Sequence, residues 1–358
     1  MIALSLYKNK NFKLINKKIN NKLHPKKCRL KIIYSGICAS DIPRAFDAMA
    51  YKYPLIMGHE FVGKIIKTGS SINSFDEGDV VSAFPLIPCC VENKSSSECG
   101  NCKQKKFNLC DNYNYYGSRT DGSFCEILDV YEWNLFKLSK KIALENSSII
   151  EPTAVAYNIF NNMKIESKSK ILIMGGGFIG QILNRIIRKH SKKTQIHLAD
   201  RNKFKLAISK KYIDNAIFFS KTDKNYNYLR KKKLINKFDI VVETTGNSTN
   251  FINVLNFVKK DGSVLYSGNI EKDLKLSRSE VSNILRKQIN IKGIWNSSFK
   301  SKINDWKKAD DFLSNNVALK NLITHKCELE NAGELLGQIN KMKKGKLKNN
   351  YLKGIIKI

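Results

Sequence analysis

The chain has 358 residues, 42% of them apolar, and carries 63 lysines and arginines against 31 acidic residues, a formal net charge of +32. That length exceeds a single small core and fits two domains. No apolar run approaches the roughly 18 residues of a membrane-spanning helix. The opening MIALSLYKNKNFK has no basic residues ahead of its apolar stretch and no small-residue cleavage site, so a signal peptide is not expected and a cytoplasmic location is. The lysines are spread over the whole chain with abundant Asn and Ile, as an A- and T-rich genome would encode. No stretch interleaves basic and aromatic residues as an RNA-binding sheet does, so nucleic acid is not an expected partner. A basic surface of this kind favours small anionic substrates.

In chain order, residues 1–155 hold short alternating runs punctuated by glycine, such as RLKIIYSG (29–36), FVGKIIKTG (61–69) and DVVSAF (79–84). They predict a β-rich domain. Inside it, residues 88–110 read PCCVENKSSSECGNCKQKKFNLC and contain five of the nine cysteines: Cys89, Cys90, Cys99, Cys102 and Cys110. An odd cysteine count without an export signal argues against a disulfide framework and for metal ligation.

From 156 to 296 the texture changes to apolar strands separated by helical segments: KILIM (170–174), an amphipathic run through Ile187, then QIHLAD (195–200), FDIVVETTG (238–246) and GSVLYSG (262–268). This order predicts a parallel sheet. Residues 297–358 carry helical stretches around WKKADDFLSN and NAGELLGQINKM and a final strand, KGIIKI.

Within the second part, MGGGFIG (174–180) sets Gly175, Gly177 and Gly180 in G-x-G-x-x-G spacing directly after a strand and at the start of a helix, with Phe178 and Ile179 between the last two glycines. The first glycine permits a tight turn, the second lets backbone approach a pyrophosphate, and the third lets helix pack on strand. The helix N-terminus receives the phosphate charge. Asp200, twenty residues beyond Gly180, closes the next strand, where a carboxylate accepts the ribose hydroxyls and repels a 2′-phosphate. NAD is the expected cofactor, although the adjacent Arg201 partly offsets that repulsion.

The first part also offers Cys38 in SGICASD (35–41), His59 and Glu60 in YPLIMGHEFVG (53–63), and Glu151 in IIEPTAVA (149–156). Thiolate, imidazole and carboxylate suit zinc; spacing alone does not make them converge. In their order along the chain, GICASD, the GHE segment, GDVV (78–81), the cysteine lobe, DGSFCE (121–126), EPTAVA and the glycine turn resemble the zinc-dependent medium-chain dehydrogenase/reductase family over nearly the whole chain.

That resemblance implies an α/β fold. A GroES-like β-rich catalytic domain (1–155) carries a lobe at 89–110, a Rossmann NAD-binding domain with a doubly wound parallel sheet (156–296) is inserted, and the chain then returns to the catalytic domain (297–358). It implies a catalytic zinc held by Cys38, His59 and Glu151, with Glu60 behind them or alternating as a ligand. The alcohol oxygen would take the open zinc position and hydride would pass to the nicotinamide ring. Ser40 matches the family hydroxyl that passes the alcohol proton toward solvent; its plainer reading is a turn serine capping the next helix.

A second, structural zinc is implied by the lobe. Family members use four cysteines there, and Cys99, Cys102 and Cys110 match the last three, while the place of the first falls on Ser96. Cys89, or alternatively Cys90, must then close the tetrahedron across the longer loop VENKSSSE; a polar insertion of about seven residues is tolerable because closure cost grows only logarithmically with length.

Glu151 in place of a third cysteine points to the polyol dehydrogenases of the family. SGICASDIPRAF, CDNYNYYGSRTDGSF and ILRKQINIKGIWNSS resemble those acting on a sugar-alcohol phosphate and, more loosely, those acting on sorbitol. Arg44, Arg119 and Arg286 lie in these stretches as candidate substrate ligands, Arg286 favoured because it precedes a strand expected to end near the nicotinamide pocket. Asn158 stands where relatives commonly carry a histidine. A non-catalytic member would be expected to lack a ligand, yet all four are present. The resemblance also implies a homodimer or homotetramer.

Overall fold

Strand Lys27–Ile37 buries Cys28, Leu30 and Ile32 at alternate positions and exposes Lys31, the period of two that lays one face of a sheet on a core. The computed structural model describes residues 1–92, 98–219, 234–315, 319 and 321–358. These residues divide into two units, one formed by Met1–Ala154 with Ser297–Ile358 and the other by Val155–Asn296.

The first unit is mainly β-sheet. Strand Lys27–Ile37 pairs antiparallel with Glu60–Thr68 on one side and with Ile127–Tyr131 and Gly354–Lys357 on the other. Glu60–Thr68 continues through Val80–Ala83 to Leu135–Lys137, and Gly354–Lys357 pairs parallel with His325–Glu328. A smaller sheet orders Asn11–Asn16, Ile2–Lys8 and Leu55–Ile56. Their shared core includes Leu6, Leu30, Ile37, Leu55, Phe61 and Phe124, all fully buried, closed by Leu336 and Ile339 of helix Ala332–Lys343.

Two features of this pairing position the chemistry. Glu60 lies opposite Gly36, so the residues just before Glu60 and just after Ile37 emerge at the same end of the sheet. The last strand pairs Gly354 with Ile37, which brings Lys353 to that same end.

The second unit is a six-stranded parallel sheet ordered Asn215–Phe218, Gln195–Asp200, Lys170–Met174, Phe238–Glu243, Val258–Tyr266 and Asn290–Gly293. Numbered along the chain, that order is the doubly wound 3-2-1-4-5-6. Alternate residues of the central strands enter opposite cores: Leu172 and Met174 one, Ile171 and Ile173 the other. Burial on both faces accounts for the near-continuous apolar runs read in the sequence. Helix Ile150–Asn161 carries the chain from the first unit into the second.

Candidate metal and cofactor sites

Ligand atoms of Cys38, His59 and Glu60 lie within 4.8 Å of one another. Cys38 immediately follows strand Lys27–Ile37, and Glu60 opens strand Glu60–Thr68 with His59 just ahead of it. Adjacent strands thus bring a thiol, an imidazole and a carboxylate together across the sheet. The first turn of helix Asp41–Phe46 supports them. Fully buried Asp41 accepts the Cys38 amide at 2.9 Å and Arg44 Nη1 at 2.8 Å, and its Oδ1 lies 3.8 Å from His59 Nδ1.

Ser40 occupies the N-cap position of this helix but makes no side-chain cap bond. Its hydroxyl donates to Cys38 Sγ at 3.3 Å instead, so the capping reading of Ser40 gives way.

Electrostatics mark the group as short of positive charge. Desolvation and the Glu60 and Asp41 charges push the Cys38 thiol up to about 11, opposed by Lys353 and the Ser40 hydrogen bond. Desolvation pushes the buried Glu151 carboxyl up to about 8, opposed by His59 and reinforced by Glu60 and Cys38. Glu151 is thus within reach of these charges, while the group of ligand atoms within 4.8 Å of one another contains Glu60. His59 Nδ1 is buried with no hydrogen-bond partner. Soft thiolate, imidazole and carboxylate, crowded in a desolvated site with an unsatisfied ring nitrogen, fit a zinc ion.

Glu60 has a further partner that sequence reasoning missed. Lys353 Nζ pairs with Glu60 Oε2 and also donates to the carbonyl of Ile37 at 3.1 Å; both side chains are almost fully buried. Tyr115 was missed as well. Its ring meets His59 edge to face at 5.7 Å between centroids. Desolvation, together with the charges of Glu151 and Cys38, holds its phenol well above the usual range. Neither residue carries a local sequence signal, because each reaches the site from a distant strand.

In the lobe, the four sulfurs of Cys89, Cys99, Cys102 and Cys110 lie within 4.8 Å of one another. Cys89 and Cys102 approach to 3.7 Å, Cys99 and Cys110 to 3.9 Å, and the Cys89 amide donates to Cys110 Sγ at 3.2 Å. Cys90, the alternative, stands outside the group. Ser96 lies outside the described residues. Against the pull of desolvation, backbone hydrogen bonds from Asp111 and Cys102 bring the Cys99 thiol down to about 7. Desolvation pushes Cys102 and Cys110 up, Cys110 to about 11. Four sulfurs gathered this closely fit a closed structural zinc.

In the second unit the glycine turn follows strand Lys170–Met174. Gly175 has a φ of +109°, and a Cβ there would meet the side chains of Thr244 and Thr245. A Cβ at Gly180 would collide with the Gly175 carbonyl, whereas one at Gly177 would meet nothing within 4 Å. Gly177 is the N-cap of helix Phe178–His190 and leaves its first amides without a side-chain cap; Phe178 and Ile179 form the first turn. Asp200 accepts the amides of Gly176 at 2.6 Å and Asn202 at 2.7 Å, so its carboxylate is tied to the turn, while Arg201 beside it is exposed. Open space over Gly177, uncapped amides and an adjacent carboxylate fit a dinucleotide.

Comparison with known proteins identifies the family. The family described as the alcohol dehydrogenase GroES-like domain matches residues 24–140, and the family described as zinc-binding dehydrogenase matches residues 179–315. Galactitol 1-phosphate 5-dehydrogenase of Escherichia coli K12 is 28% identical over 318 residues, covering 88% of this chain and 90% of the relative. The crystal structure of galactitol-1-phosphate dehydrogenase from Escherichia coli superposes with a TM-score of 0.87 at 25% identity, covering 100% of both chains. The chain belongs to the zinc-dependent medium-chain dehydrogenase/reductase family. L-threonine 3-dehydrogenase of Pseudoalteromonas translucida is 26% identical over 305 residues, covering 84% of this chain and 85% of that one, so similarity at this level does not select a substrate.

In this member of the family, the three candidate arginines part company. Arg44 is held by the buried Asp41 beside the metal cluster, its Nε buried without a partner. Arg119 is exposed on the loop between Tyr115 and Gly122. Arg286 requires a correction. It sits exposed in the last turn of helix Arg278–Lys287, and the neighbouring Lys287 donates to the carbonyls of Leu255 and Val258 at 3.0 Å. Val258 opens its strand, so Arg286 is at the amino-terminal edge of the sheet, away from the glycine turn. Ligands of doubly wound sheets bind at the carboxyl edge; a helix that runs back against the strands delivers its last turn to the other one.

Asn158, the departure from the usual histidine, is buried and donates to the carbonyl of Asn296 at 2.9 Å. No described helix is long and apolar enough to cross a membrane.

Proposed function

We propose that the chain is a zinc- and NAD-dependent dehydrogenase that transfers hydride between a secondary alcohol of a polyol or polyol phosphate and the nicotinamide, with galactitol 1-phosphate the substrate of first choice. The observation that carries this reading is the convergence of Cys38, His59 and Glu60 within 4.8 Å, with Ser40 bonded to the thiol.

Cys38, His59 and a carboxylate from Glu60 or Glu151 would hold the catalytic zinc, which when bound polarises the alcohol oxygen and lowers its proton affinity. Asp41 fixes Cys38 through its amide and stands beside the His59 ring, limiting the reorganisation the ligands need. The Ser40 hydroxyl takes the alcohol proton toward solvent. Tyr115 walls one side of the imidazole with a ring that excludes water. In the second unit, Gly175, Gly177 and Gly180 with the first turn of helix Phe178–His190 receive the pyrophosphate, and Asp200 receives the adenosine ribose. Asp200 favours NAD because a 2′-phosphate would face its charge. Similarity to galactitol 1-phosphate 5-dehydrogenase over 88% of the chain supports the substrate class.

The test is NADH formation by zinc-replete protein with galactitol 1-phosphate, galactitol and sorbitol at matched concentrations, and with Cys38→Ser as control. Turnover that disappears in Cys38→Ser is expected. Turnover of free polyols alone would move the assignment to an unphosphorylated substrate. Silence on all three with zinc bound would sink the polyol reading.

A further inference from the structure

We propose that Arg119, stacked between Tyr113 and Tyr51, is the element that recognises the phosphate group of the substrate. This rests on the dehydrogenase reading above and adds to it a ligand class, a dianionic phosphate ester.

The guanidinium carbon of Arg119 lies 4.3 Å from the centroid of the Tyr113 ring and 4.9 Å from that of Tyr51. A guanidinium held over aromatic rings is oriented by them, and its planar fork of N–H donors suits two phosphate oxygens at once. Among the described residues Arg119 has no carboxylate partner, and its one side-chain hydrogen bond is Nη2 to the Tyr113 hydroxyl at 3.4 Å. The acidic residue nearest in sequence, Asp121, is engaged elsewhere, by Lys17 at 2.7 Å, by Lys52 at 3.8 Å and by the amide of Ile56. Arg44, by contrast, already has its charge met by Asp41, and Arg286 lies at the wrong edge of the other unit.

Position relative to the metal cluster is fixed from two sides. Tyr113 meets Tyr115 at 6.4 Å between centroids, and Tyr115 meets His59 at 5.7 Å, so aromatic contacts run from the cation to a metal-cluster side chain. The backbone is fixed too. The amides of Arg119 and Thr120 both donate to the Tyr115 carbonyl at 3.0 Å, and the Gly117 amide donates to the Thr120 carbonyl at 2.9 Å. The loop presses on Gly58, the residue before His59, so closely that a Cβ at Gly117 or Gly122 would collide with the Gly58 carbonyl. Arg119 therefore stands on a tight turn anchored to the segment that presents His59. A chain with a secondary alcohol at the cluster and a phosphate on one end would meet a pre-positioned cation that has no carboxylate partner among the described residues.

The test compares wild type with Arg119→Met and Arg119→Lys, using galactitol 1-phosphate and galactitol as substrates and calorimetric titration of the zinc-loaded protein with each. Arg119 is exposed, so its replacement does not open the core. A charge-assisted contact of this kind predicts that the preference for the ester, in kcat/KM and in Kd, falls by about 10- to 100-fold in Arg119→Met and is partly kept in Arg119→Lys. Preference that persists in Arg119→Met, or a wild type that does not prefer the ester, overturns the assignment while leaving the dehydrogenase reading intact. Binding of the ester that depends on Arg119 without turnover of either compound overturns the oxidation reading and leaves the phosphate site standing.

Discussion

The two cysteine-bearing clusters of the first unit are built in opposite ways. The lobe draws all four sulfurs from residues 89 to 110. The other cluster draws Cys38, His59 and Glu60 from the ends of strands that pair across the sheet, with Glu151 from a helix some ninety residues later and Lys353 from just before the last strand. A locally built site can form once a short loop closes, and metal supplies much of its folding free energy. A site built across paired strands exists only once the sheet has formed, and it inherits the sheet's rigidity. The first design suits a closed structural ion. The second suits ligands held in fixed geometry around an open position.

That contrast predicts independence, and the largest effect should come from breaking it at the open site. Cys38→Ser should abolish NADH formation and remove one zinc per chain by elemental analysis, while the lobe keeps its own. Loss of both ions would show that the clusters form one cooperative unit.

Lys353→Met should strand the Glu60 carboxylate in the core and destabilise the chain by about 3–5 kcal/mol. Adding Glu60→Gln should recover most of that loss in denaturant melts. No recovery would mean that Lys353 matters through its bond to the Ile37 carbonyl and not through the ion pair.

Cys102→Ser should cost roughly 3 kcal/mol or more, because metal binding at a locally closed site is folding free energy. Hydrogen exchange should speed up across 89–115 while the catalytic zinc is retained. Unchanged exchange there would show that the lobe holds without metal.

The smallest effect is expected at Asp200. Asp200→Asn keeps an acceptor for the Gly176 amide but removes the charge, so the NAD-over-NADP ratio of kcat/KM should fall by about tenfold. A ratio that does not move would place cofactor choice on other residues.

The fold was legible wherever a short window contained its own explanation. KILIM, QIHLAD and the glycine turn show their strand, strand and helix start through apolar runs and glycine spacing, and the structure places those strands at Lys170–Met174 and Gln195–Asp200. The cysteine lobe showed its clustering in the same way, but its four-cysteine pattern came from resemblance to the family, and the structure groups Cys89, not Cys90, with the other three sulfurs. Arg286 was misplaced because a linear window shows that a residue precedes a strand, but not that the helix before it ends at the opposite edge of the sheet.

By itself, the sequence showed a β-rich part followed by alternating strands and helices, and a glycine turn with its carboxylate, which rest on local periodicity and spacing; the candidate metal ligands came from its resemblance to the family. Only the tertiary structure decided that Glu60 stands within 4.8 Å of Cys38 and His59, that Lys353 pairs with Glu60, that Tyr115 stands against His59, and that Arg119 lies over two tyrosine rings. Those relations depend on strand register and burial, and burial sets which charges must find partners. Register and burial arise from contacts between separate segments of the chain, as far apart as Glu60 and Lys353, which no local pattern encodes.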